Sequence, residues 1–146
     1  MKRNKFCAPS TWTTILAIYC LAYAPLACAP VETAIVADPG TSFTLPVGET
    51  AAVRGTDTRL TFTAVREDSR CPTDVTCVWE GDAKIAIAIS QNGGAGETKV
   101  LSIRSPANET TAGNLRIRFV GLAPVPRQSD ANTARQYVAQ FVVERL

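Results

Sequence analysis

The 146-residue chain contains no histidine, which removes at once the commonest general base, the commonest transition-metal ligand and the usual physiological pH switch. Serine and cysteine triads built on an imidazole are excluded. An enzyme would have to use a carboxylate pair, a Ser/Lys arrangement or an oxygen-ligated cation such as calcium. A basic excess is also missing. Lys2, Arg3 and Lys5 stand ahead of the first acid, so from Cys28 onward the 15 bases fall to 12 against 13 acids. With no surplus and no run of like charge, the electrostatic footprint of a nucleic-acid binder is absent. Two further features are lacking: an apolar run of the roughly 20 residues that a membrane-spanning helix needs, and any stretch that holds a 3.6-residue period over three turns.

What the sequence does have begins with a leader. The basic residues near Met1 precede an apolar run at 12–24 (WTTILAIYCLAYA), which has signal-peptide length. It ends in Pro25-Leu26-Ala27-Cys28-Ala29-Pro30, which resembles the lipobox of bacterial lipoproteins, small residues ahead of a cysteine that becomes lipidated and N-terminal. Leucine stands here two places before the cysteine, and Pro25 occupies the third place. The alternatives are plain secretion or an uncleaved anchor. Both small-x-small cleavage sites, Ala22-Tyr23-Ala24 and Ala27-Cys28-Ala29, are followed by proline, which the ordinary signal peptidase tolerates poorly. Residues 1–27 are therefore expected to be a signal peptide and Cys28 the lipid attachment point, facing the periplasm or the exterior.

The cysteine count agrees. Cys7 and Cys20 leave with the leader, Cys28 takes the lipid, and Cys71 and Cys77 remain as one even pair, expected to be bonded in an oxidising compartment. Closing so short a span limits the unfolded chain by only about 2 kcal/mol, so the staple would act on local shape. A redox role has less support, because the spacing is not Cys-x-x-Cys and no feature nearby would lower a thiol pKa.

Residues 28–41 hold two prolines and a Pro-Gly pair and no aromatic residue, which suits a tether lifting a domain off the bilayer, with an edge strand at 33–36 as the rival reading. From Phe43 the chain reads as short strands parted by Gly, Pro, Asn and Asp. Phe43, Leu45 and Val47 alternate, then Ala51 and Val53, with a turn at 55–58. Leu60 and Phe62 share a face that Val65 leaves by one residue, which implies a bulge if all three are buried. Ile85, Ile87 and Ile89 form the clearest strand, with Lys84, Ala86, Ala88 and Ser90 on its other face. A glycine-rich hairpin loop at 91–96 leads to Leu101 and Ile103. Leu115, Ile117 and Phe119 alternate with Arg116 and Arg118, and Tyr137, Ala139, Phe141 and Val143 close the chain. About seven strands in residues 42–146 give an all-β domain, an antiparallel two-sheet sandwich that is immunoglobulin-like in the broad sense, with a small closed barrel as the alternative. It is not a true immunoglobulin domain, since Cys71 and Cys77 are too close to bridge two sheets around a core tryptophan.

One segment stands apart. Residues 67–84 (EDSRCPTDVTCVWEGDAK) concentrate five acids, two cysteines and the only tryptophan after the leader. Asp68, Ser69, Arg70, Cys71 and Pro72, followed by Cys77, Trp79 and Gly81, resemble the Asp-Ser-Arg-Cys-Pro…Cys-x-Trp-x-Gly signature of small bacterial lipoprotein-like proteins. That resemblance implies export and this fold, and carries no activity, cofactor or catalytic residue with it. Two readings of the segment compete. In one, the stapled loop displays Arg70, Thr73, Asp74 and Trp79 to a protein partner with little ordering entropy left to lose, as an inhibitor presents a rigid loop. In the other, the disulfide and a largely buried Trp79 plug one end of the sandwich, as in a purely structural envelope protein.

Calcium at Glu67, Asp68, Asp74, Glu80 and Asp82 has no EF-hand spacing behind it, and Arg66, Arg70 and Lys84 are at hand to neutralise these acids. A carboxylate-pair hydrolase needs a cleft that short loops do not wall, and a Ser/Lys site has only Lys84 and Lys99 to draw on. Asn108-Glu109-Thr110 is a sequon that signals no more than an exposed loop. The expected protein is thus a membrane-tethered binding or accessory module, without enzymatic activity, metal, cofactor or nucleic-acid partner. Intact mass of membrane-extracted protein tests the attachment: a species beginning at Cys28 with added acyl mass is expected, and one beginning elsewhere or lacking that mass would refute it.

Overall fold

The computed structural model describes residues 35–104, 106–130 and 135–146; the leader, Cys28 and the tether up to residue 34 lie outside the described residues. Nine strands follow in order: β1 Ile35–Ala37, β2 Ser42–Pro46, β3 Thr50–Val53, β4 Thr58–Asp68, β5 Ala83–Gln91, β6 Glu97–Ser102, β7 Glu109–Ala112, β8 Leu115–Ala123 and β9 Val138–Arg145. They form a five-stranded sheet, β1-β3-β4-β5-β6, and a four-stranded sheet, β2-β9-β8-β7. Every pairing is antiparallel except that of β1 with β3. The fold is the all-β two-sheet sandwich that the alternating pattern predicts.

Two strands exceed the seven expected. β1 occupies part of the segment read as tether and overlaps the edge strand considered at 33–36. β7 (ETTA) carries no large apolar side chain and so gives no hydrophobic alternation to detect. It holds its place through backbone pairing with β8, from Glu109↔Arg118 to Ala112↔Leu115.

The parity problem on β4 is solved by a register shift between Phe62 and Ala64, which turns Val65 back to pack against the core, and a second shift follows between Val65 and Glu67. On β5 the alternation holds for Ile85, Ile87 and Ile89, but Ala86, expected on the outer face, is also buried. Its methyl lies in register between Ala64 of β4 and Val100 of β6, and a side chain that small is covered by its neighbours.

The inner faces meet in a core with four phenylalanines along it. Phe141 is fully buried, with ring centroids 5.9 Å from Phe43, 6.4 Å from Phe62 and 5.9 Å from Phe119. The Phe62 contact crosses between the sheets, edge to face. Phe141→Ala should therefore cost on the order of 3–5 kcal/mol, read as a lower urea midpoint at unchanged slope. A loss under about 1 kcal/mol would mean that the aromatic contact does not join the sheets as described.

Candidate functional site

The distinctive segment leaves the sandwich as an extension of the β4–β5 hairpin. Beyond the last register pair, Asp68↔Ala83, Ser69 N–H donates to the Asp82 carbonyl at 2.8 Å and Cys71 N–H to the Glu80 carbonyl at 3.1 Å. Gly81 lies in the left-handed region (φ 69°), and a Cβ there would stand 1.8 Å from the Ser69 carbonyl oxygen. No other residue fits, because both the turn and the approach of the two backbones require its missing side chain. The Cys71–Cys77 disulfide forms as expected, and Val75 N–H bonds back to the Pro72 carbonyl at 3.4 Å within the stapled loop.

Asp68 and Arg70, two apart on an extended chain, face the same way. The guanidinium takes the carboxylate in a fork, Nε to Oδ1 at 2.7 Å and Nη2 to Oδ2 at 2.9 Å. It also donates to the carbonyls of Leu122 and of Pro124, the latter at 2.9 Å. Tyr137 Oη–H donates to Asp68 Oδ2 at 3.0 Å, and Arg135 Nη1 stands 3.8 Å from the same oxygen. The side chains of Asp68 and Arg70 are only 5% and 12% exposed. Arg70, expected at the displayed surface, is therefore turned inward as a strut, since its donors are consumed by one carboxylate and two backbone carbonyls. Burial by itself would raise the Asp68 pKa, but the bonds from Arg70 and Tyr137 and the guanidinium charge outweigh it and hold the carboxyl below its ordinary value.

The other expected residues fare differently. Thr73 N–H donates to the Pro126 carbonyl at 3.0 Å, tying the stapled loop to the segment after β8. The Asp74 carboxylate accepts the Gln128 N–H at 2.8 Å, the main cause of its lowered pKa. Trp79 is 83% exposed and Val78 90%, so the expected burial of Trp79 beside the disulfide is overturned. Residues 78–79 lie past the last ladder bond, at Glu80, where no sheet remains to cover them.

The five carboxylates considered for calcium are dealt out to separate partners. Glu67 pairs with Lys84 at 2.7 Å, Asp68 with Arg70, Asp74 with the Gln128 backbone, and Glu80 with Arg104 Nη2 at 3.0 Å. Asp82 accepts the Ser102 hydroxyl at 2.8 and 2.9 Å and the Ala83 N–H at 2.8 Å. Arg104 Nε also donates to the Gly81 carbonyl at 2.7 Å, bracing the turn from outside. An open depression of about 540 Å³ lies beside the indole, lined by Val78, Trp79, Glu80, Asp82, Arg104 and Ser69. Tyr137, Arg135 and Arg104 had no distinguishing signal in the chain; the Asp-x-Arg spacing at the end of a strand was the one clue to the buried pair.

Taken together, these features define a β-sandwich with a clamped, stapled hairpin extension that presents an aromatic tip. No family model, no curated protein and no solved structure matches the chain.

Because Asp68 titrates lower in the folded chain than in the unfolded one, its stabilising contribution is complete above the ordinary carboxylate range and fades as pH falls through the folded value. Asp68→Asn should destabilise at neutral pH by on the order of 3 kcal/mol and flatten the decline in stability on acidification below about pH 5. Urea midpoints of both proteins across that range check this, and parallel pH profiles would contradict it.

Proposed function

We propose that the mature chain is an exported module, lipid-attached at Cys28, that works by contact rather than catalysis and uses the tip of the stapled hairpin as its contact surface. The observation that carries this reading is the exposure of Trp79 and Val78 on a loop whose base is fixed by a disulfide, a buried ion pair and the close backbone approach at Gly81. Large apolar side chains on an ordered, pre-paid loop give contact energy at small entropic cost, and tryptophan is prominent among residues that dominate interfaces.

Several features support the non-enzymatic part. The chain has no histidine. The lysines left for a Ser/Lys site are each paired with an acid, Lys84 with Glu67 and Lys99 with Glu97. Glu67 raises the Lys84 pKa, the opposite of what a lysine base requires. The disulfide, the leader pattern and the lipoprotein-like signature all favour export.

The proposed surface does not include Arg70, which is consumed internally, while Thr73 and Asp74 are exposed on the stapled loop beside the tip, Asp74 also holding the Gln128 backbone. A photo-activatable aromatic residue placed at Trp79 should form adducts in the native envelope. The same group at Thr111, an exposed position on β7, should not. Absence of any adduct at position 79, with the protein folded and in the envelope, would sink the contact-surface reading.

A further inference from the structure

The strand registers give the molecule a direction. Ile35, the first residue of β1, is level with Ala51 of β3 and through it with Leu60 of β4. β1 is parallel to β3 and therefore runs opposite to β4, away from the end where β4 delivers the stapled hairpin. From the level of Leu60 to Asp68, six residues on the partner strand from Ile89 to Ala83, β4 climbs about 20 Å, and the paired backbones of the hairpin run on to Cys71 and Glu80 for about 10 Å more. Cys28 precedes Ile35 by seven residues, which span at most about 25 Å even when fully drawn out. A lipid on Cys28 thus cannot hold the domain clear of the bilayer with the hairpin end downward; in that pose the hairpin reaches the surface before the tether is spent.

The surface has a matching polarity. Among the described residues, the exposed large apolar side chains at the hairpin end are Val47, Val75, Val78, Trp79 and Val125. At the opposite end, where the turns run through Asn92, Gly93, Gly113 and Asn114, there are only Leu146 and Val36 among the described residues, Val36 being level with Arg59 through Ala52. Charge at the hairpin end is internally balanced. Glu80 is paired with Arg104, and Asp74 is held by the Gln128 N–H with Arg127 close by.

We propose that the occupant of the Val78-Trp79 tip is the lipid bilayer itself: the indole and the valine seat in the interfacial layer and give the anchored protein a second, non-covalent membrane contact that fixes its orientation. Tryptophan favours that layer because its ring is apolar and its N–H still finds polar partners there. The contact is apolar, so it is insensitive to salt, unlike attachment by a basic patch. This inference rests on lipid attachment at Cys28, and the test separates the two.

After cleavage at Cys28, Trp79 is the sole tryptophan, since the other, Trp12, lies in the leader. Its emission then reports this one site. Membrane-extracted protein is reconstituted into vesicles of phosphatidylethanolamine and phosphatidylglycerol, with and without bromine on the acyl chains. Trp79 emission should shift to shorter wavelength on reconstitution and lose most of its intensity with brominated lipid, at low and high salt alike. Val78→Asp, which keeps the reporter and lies clear of the clamp, should stay vesicle-bound through its lipid while losing the shift and the quenching. Vesicle-bound wild type with water-like, unquenched emission would overturn the inference and leave the tip for a protein partner. Failure to associate with vesicles at all, together with a mass lacking acyl chains, would remove the anchor and the inference with it.

Discussion

A single buried carboxylate organises one end of this molecule. Asp68 ends β4 in the five-stranded sheet, and its two oxygens accept from Arg70 and from Tyr137 beside β9 in the four-stranded sheet. The guanidinium then passes the connection to the carbonyls of Leu122 and Pro124 at the end of β8. Among the described residues no ladder hydrogen bond joins the two sheets, so at this end a polar network does what side-chain interdigitation does along the rest of the core. A buried ion pair of this kind is a poor source of net stability, because desolvation offsets most of the attraction. What it supplies here is a unique geometry: with nearly every donor and acceptor committed, only one arrangement of three strand ends satisfies the network.

The hairpin inherits its rigidity from that geometry. Arg70 is both the strut and part of the extension, so the chain cannot swing at its base without breaking a forked charge pair. Gly81 allows the two backbones to touch, Ser102 and Arg104 hold the far side through Asp82 and Glu80, and the disulfide closes the tip. Each of these is worth a modest amount alone. Their common effect is that residues 78 and 79 are presented on a frame whose ordering cost has been met by folding, and not deferred to the moment of contact.

The long strands were readable because an amphipathic strand has to alternate. Ile85-Ile87-Ile89 and Leu115-Ile117-Phe119 admit few other structures, and Val65 off parity announced an irregularity in β4. β7 was not readable because an edge strand of Glu, Thr and Ala buries too little to leave a pattern, and β1 is only three residues long. The charged segment misled for a different reason. Arginine and tryptophan carry opposite expectations of burial, and here each does the reverse: the guanidinium goes inside because a carboxylate two residues away and two carbonyls satisfy it, and the indole stays out on a loop past the end of the paired strands. Such a reversal depends on contacts between residues more than fifty apart, to which local pattern is blind.

An exposed indole on a rigid mount is energy left unused by folding. Covering a tryptophan removes roughly 150–250 Å² from water, on the order of 4–6 kcal/mol by area, and only part of this survives the cost of association. A contact that weak would hold a free protein to a surface only fleetingly. Attachment at Cys28, as proposed, would change the arithmetic, because the tip would then meet the bilayer as an intramolecular event at high effective concentration. On the proposed arrangement the two contacts divide the work: the lipid keeps the tip near the bilayer, and the tip, stiffly joined to the sandwich through Asp68 and Arg70, sets which face the domain turns outward.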